Sequence, residues 1–87
     1  MSEQITPTST MNAYFITYRL NKAYSLGQGD SACAGYPTNE EVSYCINFYD
    51  NLLYNLEEAG PDFRSTIAHV INLRQMYQSM KYFREMP

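Results

Sequence analysis

The chain has no tryptophan, one histidine and two cysteines, and each scarcity closes off a class of chemistry. A zinc site draws about four ligands, mostly Cys and His. Cys33, Cys45 and His69 are too few for one and follow no ligand spacing. A disulfide framework needs several cysteine pairs, and Cys33 with Cys45 allows one bond at most. Lys and Arg total six, scattered as Arg19, Lys22, Arg64, Arg74, Lys81 and Arg84, whereas binding to a phosphate backbone rests on clustered cations. No stretch approaches the ~20 apolar residues of a membrane span, and the N-terminus lacks the apolar run of a secretory leader. These absences read as a cytoplasmic protein with reduced thiols, with no metal and no cofactor expected.

What the chain does have is tyrosine. Tyr14, Tyr18, Tyr24, Tyr36, Tyr44, Tyr49, Tyr54, Tyr77 and Tyr82 make nine in 87 residues. A core this small cannot bury all of them with their hydroxyls satisfied. Some must stand at a surface, where a ring offers contact area at low entropic cost and its hydroxyl a hydrogen bond. That favours a binding surface over an active site. Net charge is −3, and the acids are not dense enough to mimic a nucleic acid: Glu40 with Glu41 and Glu57 with Glu58 are two pairs, not a polyanionic face.

Residues 1–10 are polar, interrupted by Pro7 and without periodicity, and read as a mobile tail ahead of one helical domain over 11–87. The first segment, from Met11 to Gly27, admits two readings. As a helix it is capped by Ser9 or Thr10, carries a stripe of Met11, Tyr14, Phe15, Tyr18 and Leu26, and stops at Gly27. As a strand, its side chains alternate and its residues favour β structure. A lone strand has no partner, so the helix is preferred. Ile16, Leu20 and Ala23 then form a second stripe opposite the first, and a helix apolar on two sides is expected to be sandwiched. The next stretch, 27–37, holds three of the four glycines and is long for a helix connection.

Thr38 with Glu41 forms a capping box that opens a second helix. Val42, Cys45, Ile46, Tyr49, Leu52, Leu53 and Leu56 give its core stripe, and Gly60 followed by Pro61 ends it. A third helix runs from Pro61 or Asp62 to Arg84, with Phe63, Ile67, Val70, Leu73, Tyr77 and Met80 as its main stripe. The junction is short, so these two helices form an antiparallel hairpin. The expected fold is all-α, a small three-helix bundle built on that hairpin. The third helix has apolar residues beyond one stripe, namely Met76, Phe83, Ile71 and Tyr82. Only Asn72, Gln75 and Ser79 make a polar strip, so the bundle is read as dimeric or partner-bound.

Catalytic signatures are absent. Cys33 with His69 would be a nucleophile and its base, but one Cys and one His anywhere in a chain are no signature. Gly27, Gly29 and Asp30 lack the rest of a phosphate-loop fingerprint, and no serine sits in a nucleophile elbow. Asp50, Glu57, Glu58 and Asp62 fall on the solvent side of a helix and its end, the usual place for solvated acids.

Tyr44 and Tyr54 lie off the core stripe, and Met76, Tyr82 and Phe83 flank the third helix. These five are the expected partner-binding residues, of the types that make interface cores. In size, charge and lack of a catalytic signature the chain resembles small acidic proteins of phages and mobile elements that bind a host protein. The expected function is non-enzymatic: an inhibitor or modulator, dimeric, covering a functional surface of a larger host protein. The competing expectation is a dimeric helical DNA-binding regulator that gathers Arg64, Arg74, Lys81 and Arg84 against phosphates, though it lacks a convincing recognition helix.

Overall fold

The computed structural model describes residues 6–27 and 35–86. Three helices account for most of them: α1 (Pro7–Ser25), α2 (Asn39–Ala59) and α3 (Arg64–Glu85), with a 3-10 turn at Pro61–Phe63 leading into α3. No strand occurs among the described residues. The fold is the expected all-α bundle.

Helix α1 begins four residues earlier than Met11, so residues 7–10 of the expected tail are helical. The reason lies in Thr6-Pro7. The Thr6 hydroxyl accepts from Ser9 N at 3.1 Å, and Ser9 Oγ accepts from Thr6 N at 3.0 Å. Pro7 stands at the first helical position, where its missing N–H is no loss. A reciprocal cap with proline behind it outcompetes a start at Ser9 or Thr10, and Ser9 serves inside the box instead. Gly27, at φ +70°, makes the left-handed exit.

Helix α2 opens on the expected box: Glu41 N donates to Thr38 Oγ1 at 3.1 Å, and Thr38 N donates to Glu41 Oε1 at 2.9 Å. Gly60 closes it at φ +116°, a backbone state that side chains rarely tolerate. Pro61 then starts the turn into α3, and the two helices pack along their length as an antiparallel hairpin.

The core is the buried set Ala13, Ile16, Leu20, Val42, Cys45, Phe48, Tyr49, Leu53, Val70 and Tyr77. On α1 this reverses the expected order of the stripes. Ala13, Ile16, Thr17 and Leu20 face the hairpin, whereas Met11, Tyr14, Phe15, Tyr18 and Leu26 stand in solvent. Size explains the reversal. The hairpin already fills its centre with Tyr49 and Tyr77, whose rings stack at 6.0 Å. A helix can approach two buried phenols with an alanine and a threonine at the contact, and not with four bulky side chains.

Helix α1 crosses the hairpin at α2: Ser9 meets Tyr44, Tyr14 meets Phe48 and Thr17 meets Tyr49, while Tyr36, just ahead of α2, reaches Ile16 and Arg19 in the middle of α1.

Candidate binding groove

Four of the tyrosines fasten α1 to the rest. Thr17 Oγ1 bonds to Tyr49 OH at 2.9 Å and to Tyr77 OH at 2.8 Å, so one threonine on α1 satisfies a buried phenol on each helix of the hairpin. Burial pushes the Cys45 thiol up to about 11 and raises both phenols above their ordinary range. The Tyr77 hydroxyl beside Cys45 and the Thr17 hydroxyl beside both phenols pull the other way but do not cancel desolvation. Further out, Tyr36 OH donates to Ile16 O at 3.1 Å and Tyr44 OH to Ser9 O at 3.0 Å. The Arg19 guanidinium lies over the Tyr36 ring, 4.1 Å from its centre.

The bond from Thr17 to Tyr77 is the bridge between α1 and α3, for the backbones of these two helices do not come close. An open groove of about 600 Å³ results. Its floor is Tyr49, Leu52, Leu56 and Val70. Tyr14, Tyr18 and Asn21 form one wall, and Phe63, Thr66, His69 and Leu73 the other. None of these residues carries a carboxylate, ammonium or guanidinium. Such a groove can take apolar side chains and orient them by the hydroxyl, amide and imidazole groups at its rim. It offers nothing to hold a highly charged ligand. A smaller hollow of about 330 Å³ lies on the other side of α1, bordered by Asn12, Phe15, Glu40, Glu41 and Tyr44.

The five expected partner-binding residues divide. Tyr44 is half-buried with its hydroxyl committed to Ser9 O, and Met76 is half-buried against the core. Tyr54 is exposed among Asn47, Asn51 and Glu58 on the polar back of α2; lone exposed rings of this kind are ordinary. Tyr82 and Phe83 are exposed and meet edge to face at 5.5 Å. Helix α1's uncovered residues Met11, Tyr14, Phe15 and Tyr18, exposed by 70, 54, 63 and 62%, were not among the five. Their i, i+3, i+4, i+7 spacing carried the signal, but it read as core.

The remaining candidates do not gather. Cys33 lies outside the described residues. His69 is exposed on the groove wall, and Cys45 is a free, buried thiol. No group of His, Cys, Asp and Glu among the described residues could hold a metal ion. Asp50, Glu57, Glu58 and Asp62 are exposed, with Asp50 paired to Arg74 at 2.9 Å. Arg84 donates to Pro37 O at 2.6 Å and to Asn39 Oδ1 at 3.1 Å. Two of the four cations expected to meet phosphates are thus engaged within the fold. No described helix is long and apolar enough to cross a membrane. No protein family, no curated protein and no solved structure matches the chain.

Proposed function

We propose that the protein is a non-enzymatic binding protein of the cytoplasm. It acts as an inhibitor or modulator that covers a functional surface of a larger host protein, in the manner of phage and mobile-element proteins directed at host machinery. The observation that carries this reading is the uncharged, apolar-floored groove between α1 and α3. A helix or extended segment of the target lays an apolar ridge into such a groove and reads as a few anchoring side chains. The exposed Tyr82–Phe83 pair supplies a second contact of the kind that dominates interface energetics. The competing reading, a DNA-binding regulator, is weakened because Arg74 and Arg84 are engaged by Asp50, Pro37 and Asn39.

The test is affinity capture with the full chain as bait, comparing wild type with Phe63→Ala and Phe83→Ala. Both residues are exposed, so the fold survives either change. One large protein retained in stoichiometric amount, and lost when either ring is removed, is the expected result. A partner held equally by all three baits refutes the proposed surface. Retention of duplex DNA that weakens steeply with salt favours the regulator instead.

A further inference from the structure

We propose that the outward face of α1 is covered by a second copy of this chain, the two α1 helices lying antiparallel about a two-fold axis between Tyr14 and Phe15. Three observations favour a second copy over an unrelated partner. The first is spacing. Met11, Tyr14, Phe15 and Tyr18 read the same forwards and backwards, so a two-fold axis at their centre sets Met11 against Tyr18 and Tyr14 against Phe15 of the other copy. An isologous contact requires a self-complementary patch of this kind.

The second is area. At roughly 200 Å² per side chain, the exposed fractions of these four residues amount to about 500 Å² on one protomer. Two copies bury about 1,000 Å², the threshold for a specific interface.

The third is charge. Helix α1 bears Arg19 and Lys22 and no carboxylate, and Arg19 is already held over Tyr36. About the proposed axis the two copies of Lys22 stand about 23 Å apart by helix rise, beyond the screening length of about 8 Å. Each stands over its own Tyr18 ring, 5.8 Å from the centre, and about the axis meets Pro7 of the other copy, so no like charges face one another. Tyr14 and Tyr18 also form a wall of the groove, so this pairing covers that wall and the second copy competes with the proposed target for it.

The test is the mass of the full chain by sedimentation or light scattering, from micromolar to submillimolar concentration. A concentration-dependent rise to twice the 10.1 kDa chain mass is expected. Phe15→Glu should raise the dissociation constant about 30-fold or more with helicity unchanged, since the side chain is exposed. Tyr54→Glu, on the polar back of α2, should leave it unchanged. A monomer throughout, or a dimer indifferent to Phe15→Glu, overturns the proposal. Phe63 lies outside the paired face, so loss of target capture in Phe63→Ala with the dimer intact separates a failure of the proposed function from a failure of this pairing.

Discussion

Replacing Thr17 by valine keeps the shape of the side chain and removes one hydroxyl. That hydroxyl is bonded to Tyr49 at 2.9 Å and to Tyr77 at 2.8 Å, so the single change strips two buried phenols of a partner. A buried polar group left unpaired costs about 1–3 kcal/mol. The two losses compound, because neither Tyr49 nor Tyr77 is open to solvent and water does not replace either bond. Thr17→Val should therefore destabilise the fold by roughly 2–4 kcal/mol, a large fraction of the ~5–15 kcal/mol of a typical domain. Thr17→Ser keeps the hydroxyl and loses a methyl, at about 1 kcal/mol. Adding Tyr49→Phe and Tyr77→Phe to Thr17→Val removes the stranded groups, so the triple variant should be more stable than the single one. Urea unfolding followed by circular dichroism at fixed protein concentration measures all three. A valine variant as stable as the serine variant, or a triple variant no better than Thr17→Val, would refute the reasoning.

Two further expectations follow from the same packing and from the helix cap. Because the folded Cys45 thiol is raised from 9.0 to about 11, the native state keeps a proton that the unfolded chain has already lost. Stability is then full below about pH 9 and falls as pH climbs toward 11; the raised phenols of Tyr49 and Tyr77 act in the same direction from about pH 10 upward. Denaturant midpoints from pH 7 to 10.5 should show that decline, less steeply in Cys45→Ala; a flat profile would contradict it. Thr38→Ala breaks the capping box at the head of α2 and should cost about 1 kcal/mol by urea titration, and a loss within error of zero would mean that Glu41 and solvent satisfy those amides unaided.

Much of the hairpin was legible because its signals are local. Thr38 with Glu41, and Gly60 with Pro61, specify ends within a few residues, and the stripe of α2 needs no knowledge of its neighbour. Helix α1 was legible in type but not in orientation. Its two apolar stripes are both plausible cores, and the larger one is exposed because the space against Tyr49 and Tyr77 admits Ala13 and Thr17 and little else. Tyr44 looked free on a helical wheel, yet its hydroxyl is committed to Ser9 O, 35 residues away in sequence. No local pattern announces such a pairing. The groove was invisible for the same reason: it depends on how far α1 stands from α3, which no periodicity encodes.

The Thr17 hydroxyl between Tyr49 and Tyr77 sets a limit on the protons as well as on the packing. Two bonds join three hydroxyls, each carrying one proton, so Thr17 donates to at most one phenol and accepts from the other, or accepts from both. One proton of the three is therefore always left over within the trio. With Tyr49 and Tyr77 both shut off from solvent, the interior holds a small set of proton arrangements that interchange by turning hydroxyls, without any movement of the helices.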